Sequence, residues 1–347
     1  MIGETRARTP SLPNKARRVA SLALIFSLAT AYATPAFGYL KFGVNINGRR
    51  VTLKWNQMPV KYFISEGSVP GVDASQLQAA VGRAFGRWEA VPSASIAYQF
   101  GGFTAASPLD DDGMSTLGFL DRPELDRVLA STSLLVDDAS GVLIEADIFF
   151  NSEFPWSVAS AGEAGKFDLE TIALHEIGHL SGLGHSALGE TELIASGGRR
   201  VVAAEAVMFP IAFPAGRTFD RTLRPDDVAG ISDLYPANGF NSTTGSLSGR
   251  VTRNGQGLFG AHVVAFHPSS RAMIGNFSLN KDGQFLVAGL SPGPYVVRVE
   301  PLDDADPDSF FSEAAIDLDF RVAFFDRLVV VPRGGDSGAI ELKVIPK

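Results

Sequence analysis

Apolar positions fall into three regimes along the chain. From Val19 to about Ala33 they are nearly continuous, from about 51 to 236 short alternating runs mix with runs of helical period, and beyond 246 only short alternating runs remain. In the middle stretch, 51–55 and 60–64 predict short strands broken by a turn at Pro59. Leu77, Val81, Ala84, Phe85 and Trp88 recur at helical spacing and predict an amphipathic helix over 73–89 with those side chains in the core. Two β-rich runs, 127–135 and 142–150, flank Asp137-Asp138-Ala139-Ser140-Gly141, a hairpin signature. A second helix begins near Asp168, a good N-cap, with Phe167 and Ile172 placed for a hydrophobic staple and Glu170 suited to the helix dipole. A third starts at Arg224-Pro225-Asp226-Asp227 and carries Val228, Ile231, Leu234 and Tyr235 on one face.

Residues 236–246, rich in Gly, Asn, Ser and Thr, read as a linker. Beyond them, runs at 247–251, 262–266, 284–287 and 295–299 alternate, punctuated by turns at Asn254-Gly255, Lys281-Asp282-Gly283 and Ser291-Pro292-Gly293-Pro294. This pattern predicts an all-β sandwich of about 100 residues. The expected division is 1–38 leader, 39–238 first domain, 239–246 linker and 247–347 sandwich.

Five basic residues, Arg6, Arg8, Lys15, Arg17 and Arg18, precede the first apolar run. That run is about fifteen residues long, short for a membrane span of roughly 20. Ala31-Tyr32-Ala33 and Ala36-Phe37-Gly38 both suit cleavage, so an export signal is expected, leaving a protein secreted or periplasmic with no stable membrane insertion. The chain has no cysteine, which excludes disulfides, thiolate metal ligands and a cysteine nucleophile. Its formal charge is −8 and no dense basic run lies beyond the N-terminus, which argues against a nucleic-acid partner.

The densest chemistry is His175-Glu176-Ile177-Gly178-His179-Leu180-Ser181-Gly182-Leu183-Gly184-His185, which holds three of the five histidines. His175 and His179, about one helical turn apart, project from one face. Gly182 suits the left-handed conformation that ends a helix and turns the chain back to bring His185 to the same point. Three imidazoles in this arrangement suit a tetrahedral zinc site with one open position. Glu176 lies about 100° round the helix from His175, where it reaches a zinc-bound water without coordinating the metal. It is the natural general base for hydrolysis by a metal-activated water.

The same eleven residues match the extended zinc signature of the metzincins, and Val207-Met208-Phe209-Pro210 resembles their methionine turn. Ser186 after the third histidine, and Pro210 where other branches carry a tyrosine ligand, resemble the matrixins. So do the Trp88 helix, the run 141–151 and the run 223–236. The resemblance covers about 53–236. It implies an α+β zincin-like catalytic domain with a mixed twisted sheet and an active-site helix, and a zinc-dependent endopeptidase acting on protein or peptide substrates. His175, His179 and His185 would be the zinc ligands, Glu176 the general base and Met208 the floor of the site. The strand 127–135 resembles the edge strand that pairs with extended substrate, and 210–213 would wall the pocket on the leaving-group side, favouring a bulky apolar residue. The twenty-two residues between His185 and Met208, including Gly197-Gly198-Arg199-Arg200, exceed the compact family pattern and are expected to form a loop beside the cleft. The segment 247–347 resembles the carboxypeptidase regulatory-like, transthyretin-like sandwich through Gly249-Arg250-Val251, Gly260-Ala261-His262-Val263, Asp282-Gly283-Gln284-Phe285 and Gly289-Leu290-Ser291-Pro292-Gly293-Pro294-Tyr295.

Two acidic stretches remain open. Asp110-Asp111-Asp112-Gly113 offers carboxylates to calcium or forms a solvated turn, and Asp303, Asp304, Asp306 and Asp308 do the same. His262 and His267 are expected to face solvent from a strand. An alternative to the enzyme is a surface adhesion or binding protein that uses the zinc-signature domain as a scaffold; a hydrolase of non-peptide amides is a third reading.

Overall fold

The computed structural model describes residues 40–46, 49–195, 198–218, 220–304, 307–311 and 316–347, together with the backbone of 6–8. The export signal expected over 1–38 therefore lies outside the described residues, apart from that three-residue backbone. No described helix is long and apolar enough to cross a membrane.

A six-stranded mixed sheet organises the first half. Its order is Arg6–Arg8, Ala130–Val136, Leu143–Asn151, Ser115–Leu120, Val60–Ser65 and Tyr98–Thr104. Ala130–Val136 runs antiparallel to Leu143–Asn151, whereas the next three neighbouring pairs are parallel. All seven residues of Ala130–Val136 are buried, which is why the run reads as continuously β-prone rather than alternating. Arg6–Arg8 pairs in parallel with Ser133, Leu134 and Leu135, so that part of the expected edge already carries a strand.

Helix α1 (Ala74–Glu89) and helix α2 (Leu169–Leu180) pack together beside this sheet. Asp73 caps α1 by accepting from the Gln76 N–H at 2.8 Å, while Gln76 Oε1 accepts from the Asp73 N–H at 2.9 Å. Its buried face is Leu77, Ala80, Val81, Ala84, Phe85 and Trp88. The Trp88 indole donates to the Leu174 carbonyl of α2 at 2.8 Å, fixing the two helices in register. Helix α3 (Pro225–Leu234) follows the methionine segment.

The C-terminal region is β-rich. One sheet centres on Gly245–Arg253, paired antiparallel with Gln284–Leu290 and parallel with Ile340–Val344. The other centres on His262–Phe266 and Gly293–Glu300, with Met273–Phe277 on its outer side. Leu247, Val251, Val263, Phe285, Val297, Phe320 and Leu342 share one buried cluster between them. Several strands lie outside the predicted runs, among them Tyr98–Thr104, Ser115–Leu120, Met273–Phe277, Val329–Val331 and Ile340–Val344. Met273–Phe277 is broken by Gly275-Asn276, and Ile340–Val344 carries Glu341 and Lys343 between its apolar residues. The expected linker holds a helical turn, Phe240–Thr243, with Phe240 buried.

The two halves share buried contacts. Leu40, Ala187 and Phe209 cluster with Phe277, Leu302, Phe310 and Phe311, and Leu188 and Ala206 cluster with Val264. Gly275 N–H donates to Asp226 Oδ1 at 2.9 Å, and Thr191 N–H donates to Asp304 Oδ1 at 3.1 Å.

The expected loop after His185 is instead an antiparallel hairpin, Gly189–Leu193 with Arg199–Ala204. Only Val201 is buried on it, while Leu193 and Val202 are exposed, so too little of an apolar face marks it as β in the sequence.

Candidate metal centre

Helix α2 delivers the first two histidines. The Asp168 carboxylate caps it, accepting from the Thr171 N–H at 2.9 Å and from Arg221. Glu170, expected only to complement the dipole, is buried and meets Arg83 at 2.6 Å and Arg87 and Arg221 at 3.8 Å. At the other end, carbonyls left without helical partners are taken up by side chains. The Trp55 indole donates to Leu180 O at 2.8 Å and the Tyr235 hydroxyl to Ser181 O at 2.7 Å. Gly182 has φ of 101°, and an added Cβ there would stand 2.6 Å from the Leu53 carbonyl oxygen, so the turn requires glycine.

Ring-nitrogen donors of His175, His179 and His185 lie within 4.8 Å of one another. Each ring is held from behind by a backbone carbonyl. His175 Nδ1 lies 2.7 Å from Val207 O, His179 Nδ1 2.8 Å from Leu183 O, and His185 Nδ1 2.6 Å from Ser309 O. A carbonyl only accepts, so each Nδ1 carries the proton and each Nε2 presents a bare lone pair. His179 Nε2 and His185 Nε2 stand 3.1 Å apart with no proton to share. Two nitrogens about 2.05 Å from one zinc ion in tetrahedral geometry are about 3.3 Å apart, so the spacing suits a shared cation. His175 Nε2 is buried without a hydrogen-bond partner, as is Glu176 Oε1. Burial, chiefly, lowers His175 to about 3 and His185 to about 4 and drops His179 well below its ordinary value, which keeps all three rings neutral as ligands. The donor set fits zinc.

Glu176 is fully buried. Its Oε2 accepts from the Thr132 hydroxyl at 2.6 Å, which ties α2 to the strand Ala130–Val136. Burial raises its carboxyl to about 8, against the pull of the Thr132 bond. Met208 lies directly against α2: a Cβ added at Gly178 would sit 2.2 Å from the Met208 sulfur. The methionine turn is held by Asp227 of α3, which accepts from the Val207 N–H at 2.9 Å and the Met208 N–H at 3.1 Å. Thus Val207 lends its carbonyl to His175 while its own N–H rests on Asp227.

A pocket beside His175 is lined by Phe167, Ile172, Val207, Phe209, Ile211, Ala212 and Phe213, with Asp168, Arg217 and Asp220 as its charged members. Ile211, Ala212 and Phe213 lie where the run 210–213 is expected to form a wall.

The roles of Thr132, Asp227 and Ser309 were not read from the sequence. Asp227 belongs to the matrixin-like run 223–236, a signal sufficient to single it out. A lone threonine and a backbone carbonyl carry none. The weaker candidates fall elsewhere. His262 is buried rather than solvent-facing, with its ring 5.1 Å from Phe277 and Nδ1 3.0 Å from Glu300. His267 packs edge-on against Tyr295. Asp110 and Asp112 accept from the Ser107 and Met114 N–H groups, as carboxylates in turns do. Asp303 pairs with Lys347, Asp304 accepts from Thr191, and Asp306 lies outside the described residues. Among the described residues, the three histidines are the group arranged to hold a metal ion.

Known proteins resemble this chain over the same region. Metalloendoproteinase 2-MMP of Arabidopsis thaliana is 30% identical over 224 residues, covering 61% of this chain and 50% of that protein. Metalloendoproteinase 1-MMP of Arabidopsis thaliana is 30% identical over 199 residues, covering 53% and 45%. Metalloendoproteinase 1 of Glycine max is 43% identical over 72 residues, covering 21% and 18%. The chain therefore spans about half the length, or less, of these relatives. The family model described as Matrixin matches residues 54–236, just over half of the 347 residues and the whole of the zinc-signature region. On that match, this chain belongs to the matrixin family of peptidases.

Proposed function

We propose that this chain is a zinc metalloendopeptidase in which His175, His179 and His185 hold the metal and Glu176 is the general base. One observation carries the reading: three imidazoles, each donating its Nδ1–H to a backbone carbonyl, turn bare nitrogens inward within 4.8 Å of one another. A zinc ion held there keeps its double charge, because all three ligands are neutral, and supplies Lewis acidity to a water molecule and to the substrate carbonyl. Glu176 takes the proton of the attacking water and passes it to the departing amine. Thr132 holds one carboxylate oxygen, leaving the unpartnered Oε1 as the proton acceptor. Burial, opposed by the Thr132 bond, raises this carboxyl to about 8, and a cation held beside it would draw it back toward neutrality, where a general base is efficient.

Once the leader, and with it the strand Arg6–Arg8, is removed, substrate binds extended along the freed edge of Ala130–Val136, gaining backbone hydrogen bonds, and the side chain after the scissile bond enters the pocket walled by Ile211 and Phe213. That wall favours a bulky apolar residue. Residues 1–38 direct export, 39–238 form the catalytic domain and 247–347 a carboxypeptidase regulatory-like sandwich.

The test is cleavage of a peptide library by the purified full chain, with and without a chelator, beside Glu176→Gln. Chelation should abolish cleavage. Glu176→Gln should lower the rate by at least about 10³-fold with zinc content unchanged. A Glu176→Gln chain that cleaves at the wild-type rate, or a folded wild-type chain that takes up no zinc, overturns the reading.

A further inference from the structure

The three histidines are not anchored alike. His175 and His179 stand on helix α2 and lean on carbonyls of the matrixin segment itself, Val207 and Leu183. His185 stands on irregular backbone beyond the helix, and its anchor, Ser309, is 124 positions away in the C-terminal region. We infer that the C-terminal region completes the metal centre, the Ser309 carbonyl and the Phe310 ring being positioning residues for His185. The inference rests on the proposal that His185 is a zinc ligand.

The contact is built rather than incidental. Residues Pro307–Ser309 form a 3₁₀ turn in which the N–H groups of Phe310 and Phe311 both donate to Pro307 O, at 2.9 and 3.0 Å. Phe310 is buried, edge-on to the His185 ring at 5.9 Å and 5.5 Å from the Phe277 ring. Phe311 packs edge-on to Phe277 at 5.2 Å, and Phe259 to Phe311 at 5.2 Å. Phe277 ends the strand Met273–Phe277, whose Gly275 N–H is fixed on Asp226 at the start of α3. A closed path of contacts therefore joins α3, the strand, the aromatic cluster, Ser309 and the third histidine.

The chemistry requires such an anchor. An imidazole with nothing at Nδ1 is free to carry its proton on Nε2, where it cannot bind a metal, and to rotate out of line. Partners that orient a metal-bound histidine typically govern affinity by about 10–100-fold. Here that partner comes from outside the segment that matches the family, residues 54–236.

The test uses the full chain in four variants beside wild type. Phe310→Gly removes the ring, and one glycine inserted between Asp308 and Ser309 displaces the carbonyl. Phe310→Leu restores apolar bulk, and Val330→Ser, at an exposed position, is the control. Zinc affinity is measured by chelator competition, and the three imidazole Nδ1–H signals of the zinc-loaded protein by nitrogen-15 NMR. Phe310→Gly and the insertion should weaken zinc binding by about 10–100-fold and displace the His185 signal alone. Phe310→Leu should return affinity to within about threefold, and Val330→Ser should match wild type. Affinity within about twofold of wild type, or three signals moving together as in general loosening, overturns the inference. Should the variants fail to fold, the zinc-loaded wild type decides: a nuclear Overhauser contact between His185 Nδ1–H and the Phe310 ring is expected, and its absence overturns the inference. A wild-type chain that takes up no zinc instead overturns the ligand assignment beneath it.

Discussion

Gly178 sits mid-helix, where alanine is ordinarily favoured by about 1 kcal/mol. Here an added methyl meets the Met208 sulfur at 2.2 Å and the Trp88 ring at 3.0 Å, so overpacking outweighs propensity. Gly178→Ala should destabilise the chain by about 1–3 kcal/mol in urea unfolding, and Met208→Ala in the same chain should recover part of that loss. Additive losses would refute direct contact. Asp226 supplies a pH-dependent counterpart. Burial, chiefly, raises its carboxyl to about 7, with the Asp227 charge adding to the effect and bonds from Ser186 and Gly275 opposing it. A carboxyl raised in the folded state stabilises most below its unfolded value near 4, and loses that contribution as pH climbs toward 7. Asp226→Asn cannot ionise, so its stability relative to wild type should rise between pH 4 and 7, on the order of 1 kcal/mol per pKa unit. Parallel unfolding midpoints across that range would contradict the shift. The three clustered histidines were legible because spacing and residue type alone select them. Their anchors were not, because two of the three are carbonyls brought back by distant chain.

At the scale of elements, α2 owes its placement to its first turn. Asp168 is both its cap and the partner of half-buried Arg221, and Glu170 engages three arginines. Asp168→Ala removes cap and ion pair together and should destabilise by about 2–4 kcal/mol, with faster amide exchange confined to the first turn of α2. Asp168→Ser keeps a cap and should recover about 1 kcal/mol; equal losses in both variants would show that the ion pair dominates. Both long helices were legible from period and caps, and α1 lies where Leu77, Val81, Phe85 and Trp88 predict it. The hairpin Gly189–Leu193 with Arg199–Ala204 was not. A two-stranded ribbon that buries only Val201 and leaves Leu193 and Val202 exposed has too little buried face to impose alternation on its sequence.

Over the whole molecule, the helices and the β-rich C-terminal region follow from pattern and the mixed sheet from the family resemblance, its strands Tyr98–Thr104 and Ser115–Leu120 carrying no clear signal of their own, but the join between the two halves follows from neither. Its residues, Leu188, Ala206 and Phe209 on one side and Val264, Phe277 and Phe310 on the other, look like ordinary core until the chain is folded. Because that seam is apolar, continuous and hydrogen-bonded at Asp226 and Thr191, the chain should unfold in one calorimetric transition, with calorimetric and van't Hoff enthalpies equal. Zinc removal should lower that single midpoint. Two resolved peaks would show that the halves are independent. The aromatic turn at Pro307–Ser309 also bears on protein engineering: in a chimaera that exchanges the C-terminal half, the incoming chain must bring its own acceptor for the third imidazole. A graft matched only at residue 246 would leave His185 without the Ser309 carbonyl and one nitrogen donor adrift.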